Sequence, residues 1–326
     1  MTTPSADVRI TRTGRVGRIV LTRDHALNAL TLDMVETIRA ALDGWAGQDL
    51  RAVTIESTSE RAFCAGGDIR QVRQDVLDGN PDAAHRFFST EYAVNLLLGS
   101  YPVPVVALID GICMGGGLGL SVHGAFHVVT ENAVFAMPET QIGFFPDVGG
   151  SHFLPRLPGE VGRYLALTGA RFGAADAMAI GMATHSCERE VLGTIPDLLA
   201  EHDAPIDSLL RELAPADLGP SPIAEHRDAI AHCFAPSALD GPDGIRERLR
   251  QVGGGWAEEA LAMLDNASPA SLAVTLDLLA RGRELSLADC LDMELAAADR
   301  VITSPDFIEG VRAALVDKDR QPRWTS

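Results

Sequence analysis

The run Val103-Pro104-Val105-Val106-Ala107-Leu108-Ile109 narrows the choice of fold more than any other part of the chain. It is rich in β-branched residues and bounded by Pro102 and Gly111, so it reads as a buried strand. Helical signals stand on both sides. Residues 81–98 predict a helix with Phe87, Phe88, Val94 and Leu97 apolar, and residues 116–122 predict a second one opening on Gly115-Gly116-Gly117. Short strands follow at 126–129 and 133–136. Upstream, strands at 18–21 and 52–56 flank a helix that Thr31 caps. That helix runs to about Trp45 with Leu32, Val35, Ile38 and Leu42 on one face. Repeating strand, strand, helix units predict an α/β core over residues 1–185. Beyond it, 188–204 and 205–213 read as helical, 218–222 as a break, and 244–252, 256–266, 269–280, 287–301 and 308–316 as amphipathic helices. Ser268-Pro269 and Ser304-Pro305 are helix-start signals. Residues 186–326 are therefore a helical region packing on the core.

The bulk numbers exclude several classes. Forty-six per cent of the residues are hydrophobic, enough for a sizeable core. The net charge of −18 argues against nucleic acid or an anionic membrane as partner. No apolar run approaches the roughly 20 residues that span a bilayer. Residues 1–5 lack a basic segment leading into an apolar stretch, so no secretory signal is visible. The five cysteines, Cys64, Cys113, Cys187, Cys233 and Cys290, are odd in number, widely spaced and free of C-x-x-C. They read as reduced thiols in a cytoplasmic protein, with no disulfide framework and no zinc site. Lys318 is the only lysine, so Schiff-base chemistry has one candidate at most. His123 and His127 stand four apart, but no Glu completes a metalloprotease motif and Gly124 interrupts the helix that would carry both. Cys64 and Cys113 lack the neighbouring His that a thiol nucleophile needs.

The chemistry concentrates in Ala136–Gly150. Glu139 and Asp147 lie eight residues apart among apolar, Gly and Pro neighbours, with no Lys or Arg between them. A carboxylate in such surroundings can serve as base, acid or nucleophile. The alternative is a pair of loop carboxylates bonded to backbone N–H groups. Three consecutive glycines cost conformational entropy, so something approaches the backbone of 115–117 closely: a ligand, or merely a packed strand. Phe63-Cys64-Ala65-Gly66-Gly67-Asp68-Ile69 is a Gly-containing turn after a strand, in which Asp68 can cap a helix. Carboxylates together with helix-start N–H groups point to acyl chemistry through an oxyanion.

These segments resemble the crotonase (enoyl-CoA hydratase/isomerase) superfamily in order and spacing. The resemblance rests on Phe63–Asp68, 105–120 and 138–150, on Asn28-Ala29-Leu30, on Phe153-Leu154-Pro155-Arg156 and on residues 309–319, and it covers the whole chain. It implies a spiral of strand–strand–helix units with a helical C-terminal region. It further implies an oxyanion hole from the N–H groups of Gly67 and Gly116, with Glu91 binding substrate on the helix before the central strand. Hydratases of the superfamily carry two glutamates. The first falls on Gly119 here and the second on Glu139, while Asp147 replaces a small residue. The lost first carboxylate disfavours hydration. The Glu139/Asp147 pair instead implies hydrolysis of a short 3-hydroxyacyl-CoA thioester, with 3-hydroxyisobutyryl-CoA, of valine breakdown, as the expected substrate. Two alternatives stay open: an enoyl-CoA hydratase or isomerase using Glu139 as base, and a non-catalytic acyl-CoA-binding protein. Coenzyme A contacts are expected at Ala26, Asn28, Ala65, Asp68 and Lys318, with Arg23, Arg320 and Arg323 as further candidates for the phosphates. The partner is thus a small acyl-CoA molecule. No metal or cofactor is implied, coenzyme A being part of the substrate, and assembly as a homo-oligomer is left open.

Overall fold

The computed structural model describes residues 5–236 and 241–325. Residues 1–4 of the stretch read for a leader lie outside them. The backbone separates into two compact units, each assembled from three stretches of sequence. Each is described by itself.

The first unit comprises Met1–Gly67, Thr90–Phe135 and Phe172–Ser221. Its strands are β1 (Val8–Thr13), β2 (Val16–Leu21), β3 (Ala52–Ser57), β4 (Ala62–Cys64), β5 (Val105–Ile109), β6 (Ile112–Met114), β7 (Phe126–Val129), β8 (Val134–Ala136), β9 (Phe172–Gly173) and β10 (His185–Ser186). A six-stranded sheet has the order β1-β2-β3-β5-β7-β10, and a four-stranded sheet the order β4-β6-β8-β9. Only the β1–β2 pair of the larger sheet is antiparallel. β3, β5, β7 and β10 add in parallel, with Val53 opposite Val105 and Val106 opposite Phe126. All five residues of β5 are buried, as its apolar run demands. The helix Leu32–Trp45 starts where expected, with the Thr31 side chain accepting from the Met34 N–H. The expected helix 188–204 is instead two, Arg189–Leu192 and Ile195–Glu201, with Pro196 in the first turn of the second. Ile195, Leu199, Ile206, Leu209 and Leu210 pack against Val16, Val106, Leu108 and Val128 of the larger sheet.

The second unit comprises Asp68–Ser89, Ala136–Arg171 and Pro222–Ser326, and is helical. Helix Pro269–Gly282 packs on Gly150–Phe153 and Val161–Thr168, burying Leu154, Ala166 and Leu279 together. Phe144 stacks on Phe145 at 4.4 Å and on Phe88 at 5.3 Å. Ser268, Ser286 and Ser304 each cap a helix by accepting from the backbone N–H three residues on. The expected helix 308–316 is Pro305–Val311 followed by a wider π turn over Arg312–Val316. The sequence reading cut the chain once, at 185/186, whereas compactness groups residues 172–221 with the sheets.

Candidate active site

In the first unit the two glycines of the expected oxyanion hole come together. Gly116 is the first residue of the short helix Gly116–Ser121, behind Gly115 at φ +47°. N–H groups in the first turn of a helix have no acceptor within it, so that of Gly116 can point at a ligand. A methyl placed on Gly116 would come 3.3 Å from the Gly67 nitrogen and would overlap Oε1 of Glu91. Gly67 is fixed from its other side, where Leu30 pairs with it in a parallel bridge and the Leu30 N–H donates to Gly66 O at 2.8 Å. Glu91 lies on the helix Pro81–Gly99 and is 2% exposed. The Gly67 nitrogen and the buried Glu91 carboxyl thus both lie beside Gly116. Gly119, onto which the resemblance maps the first glutamate of hydratases, is buried in the same short helix, whose sequence GGLGLS has no acid.

Of the coenzyme A candidates in this unit, Asn28 is fully buried. Its Nδ2 donates to Ser57 Oγ at 2.7 Å and to Phe63 O at 2.9 Å. The side-chain nitrogen is occupied in holding strands, and the backbone is bonded as well, its N–H donating to Arg23 O at 3.0 Å and its carbonyl accepting from Cys64 Sγ at 3.2 Å. Ala65 and Ala26 are half-buried, and the Ala65 N–H donates to Leu27 O. Arg23 donates to Ala29 O and faces Asp7 at 3.7 Å. Cys64 and Cys113 sit opposite each other on β4 and β6. Burial pushes the Cys64 thiol up to about 12 and the Cys113 thiol up as well, so neither offers a thiolate. His127 has Nδ1 at 2.9 Å from Met182 O and Nε2 at 3.1 Å from Gly124 O, a structural use of both ring nitrogens.

In the second unit, Glu139 opens the 3-10 turn Glu139–Ile142 and Asp147 follows on the same segment. They are 8% and 5% exposed. The segment is pinned along its length. Thr140 Oγ1 donates to Leu167 O, Gln141 Nε2 to Thr168 O, and the Ser268 N–H to Thr140 O. Gly143, at φ +74°, leaves no room for a side chain against the Asp306 backbone. Asp147 begins a tight turn in which its carbonyl accepts from the Gly150 N–H at 2.7 Å, with Val148 at φ +51° and Gly149 at φ +84°. A β-branched residue in the left-handed region costs about 1–3 kcal/mol and persists only where its surroundings impose it. Asp68 stands before the helix Ile69–Leu77 but makes no side-chain cap to it. Lys318 and Arg320 are exposed, with backbone φ of +59° and +56°.

A family model described as enoyl-CoA hydratase/isomerase matches residues 16–326. The chain belongs to that family. Among relatives of this chain, the mitochondrial 3-hydroxyisobutyryl-CoA hydrolase of Xenopus tropicalis is 42% identical over an alignment covering 99% of this chain and 85% of that protein. A carnitinyl-CoA dehydratase from Mycobacterium thermoresistibile superposes with a TM-score of 0.90 at 37% identity, covering 98% of this chain and 92% of that one. An enoyl-CoA hydratase from Rhodobacter sphaeroides gives 0.88 at 39%, covering 98% and 93%. The expected α/β fold with a helical C-terminal region is thereby shown. The cytoplasmic expectation is not. The curated relatives are named mitochondrial, and that finding overturns it. Cysteine usage separates oxidising from reducing surroundings and cannot tell one reducing compartment from another.

Among the buried acids that sequence reading missed, Glu56, Asp176, Glu294 and Asp306, one grips the Asp147 turn. Glu294, on the helix Leu287–Val301, is fully buried and accepts from Gly149 N at 2.7 Å, Ser151 N at 2.8 Å and Ser151 Oγ at 2.5 Å. Burial pushes it up to about 8 against the pull of these donors. A signal existed in the spacing, because Cys290, Leu291, Glu294, Ala297 and Ala298 form one helical stripe with the carboxylate at its centre.

Proposed function

We propose that this enzyme hydrolyses short 3-hydroxyacyl-CoA thioesters, with 3-hydroxyisobutyryl-CoA as its substrate, releasing 3-hydroxyisobutyrate and free coenzyme A in valine breakdown. The observation that carries the reading is Gly119. A helix that begins at an oxyanion-hole glycine but bears no carboxylate lacks the first acid of paired-glutamate hydration. The curated hydrolases at about 40% identity support it. The dehydratase and hydratase titles of the two solved structures define the competing reading.

Gly67 and Gly116 hold the oxygen that becomes negative when the thioester carbon turns tetrahedral. Each such donor is worth on the order of 2.7–4 kcal/mol in the transition state. Glu139 either takes a proton from attacking water or attacks the carbonyl itself to give a mixed anhydride that water then opens. Hydroxylamine trapping of an enzyme-bound acyl group separates these two routes. Asp147 orients water or hands a proton to the leaving thiolate. Glu91 accepts a hydrogen bond from the substrate 3-hydroxyl. The residues need no metal or redox group for these steps, and coenzyme A enters as part of the substrate.

The test is free-thiol release across a panel of short acyl-CoA esters, run beside loss of enoyl absorbance with crotonyl-CoA. Thiol release fastest on 3-hydroxyisobutyryl-CoA, with hydration far slower, is the expected outcome. Hydration at the greater rate overturns the proposal. Glu139→Gln should lower kcat at least a hundredfold with little change in KM, as removal of a proton-transfer group does.

A further inference from the structure

We propose that Glu294 is a positioning residue for Asp147, holding the turn that begins at Asp147 through the backbone N–H groups of Gly149 and Ser151. The inference rests on the role proposed for Asp147.

The geometry makes the case. Asp147, Val148, Gly149 and Gly150 form a turn whose two central residues both lie at positive φ. Glycine accepts that conformation and valine does not, so the local sequence does not favour this turn. Something outside the turn must impose it. Glu294 supplies the constraint from a helix some 145 residues further along the chain. One carboxyl oxygen accepts from Gly149, the second central residue. The other accepts from the N–H and the hydroxyl of Ser151, just past the turn's end. A fork gripping both positions fixes the direction in which the preceding residue leaves the turn, and that residue is Asp147. The helix Leu287–Val301 gives the fork a rigid base, with Cys290, Leu291, Ala297 and Ala298 buried around it.

A burial penalty of this kind is tolerated where the group has a task. A carboxylate in the middle of an apolar stripe could be replaced by Leu or Met if packing alone mattered. No substrate contact is required of Glu294. Its influence passes through two amides to the backbone of Asp147.

The test is a double-substitution cycle on the full-length enzyme, with kcat and KM taken from thiol release and thermal unfolding recorded for each variant. Glu294→Gln keeps the shape but turns an amide N–H₂ toward a backbone donor. It should lower kcat about tenfold or more while KM stays within about threefold. In an Asp147→Asn background the same change should lower kcat less than about twofold, because the residue it positions is already disabled. Ser151→Ala removes one donor and leaves both backbone N–H contacts in place. It should lower kcat about threefold, again only when Asp147 is present, and it decides the matter if Glu294→Gln does not fold. Equal factors in both backgrounds, or unchanged kcat in the Asp147 enzyme, overturn the positioning role. Wild-type turnover by Asp147→Asn alone overturns the reading of Asp147 first, and the inference falls with it.

Discussion

Gly116 shows how little room a single residue leaves. Its missing side chain is where Glu91 Oε1 sits, so Gly116→Ala drives a methyl into that oxygen and displaces the amide that should face the oxyanion. We expect kcat to fall about a hundredfold or more with a smaller change in KM, measured by thiol release. Glu91→Ala should act differently. If Glu91 holds the 3-hydroxyl, loss on 3-hydroxyacyl esters should exceed loss on the deoxy analogues by more than about tenfold, because a site built to pair a hydroxyl discriminates strongly. Equal losses would remove Glu91 from specificity. Both residues were singled out through the family resemblance, the three glycines showing only that a ligand or a packed strand approaches the backbone. Asn28 was legible as a motif position, yet its use was not. Only coordinates show that its amide is spent on Ser57 and Phe63.

At the scale of elements, local rules decided most boundaries. Thr31, Ser268 and Ser304 stood out as helix starts because their capping oxygens act over three residues. β1 was missed because only Val8 and Ile10 of its six residues are apolar, too short an alternation to mark a strand, and the helix Ile69–Leu77 because only Val72 of it is buried. The C-terminal tail is tied by Arg312, which pairs with Glu309 at 2.8 Å, Asp317 at 2.6 Å and Asp319 at 2.7 Å, and by Arg70 donating to Leu315 O. The Arg312 hydrogen bond holds the Glu309 carboxyl down at about 2. These acids offset much of the charge of Lys318, Arg320 and Arg323. If the exposed cations still bind phosphates, truncation after Leu315 should raise KM several-fold for coenzyme A esters and much less for a pantetheine thioester without the nucleotide. Equal changes would make the tail a structural strap.

For the whole molecule, Glu294 predicts an unusual pH dependence. In the unfolded chain it loses its proton near 4.5, and in the folded protein only near 8. Across that window the folded state binds the extra proton. Its contribution to stability is therefore full below about pH 4.5 and declines until about pH 8. The Tm of the native protein should fall from pH 5 to pH 8 more steeply than that of Glu294→Gln, and parallel slopes would refute it. The pairing of that carboxyl group with the distant turn is also what the sequence could not disclose. The Glu139/Asp147 segment could be read from a local pattern, but the residue gripping it enters the chain near position 294, and no local pattern pairs the two.

The interleaving of the two units has a consequence for biosynthesis. The chain passes from one unit to the other after residues 67, 89, 135, 171 and 221, and everything from Pro222 onward belongs to the second. A ribosome emitting this protein from its N-terminus can complete the sheets once residue 221 emerges. The segment with Glu139 and Asp147 then waits, with the turn at Val148 unsupported, until the last helices are made. A nascent chain stalled before residue 294 would therefore carry every proposed reacting group and still lack the grip on one of them.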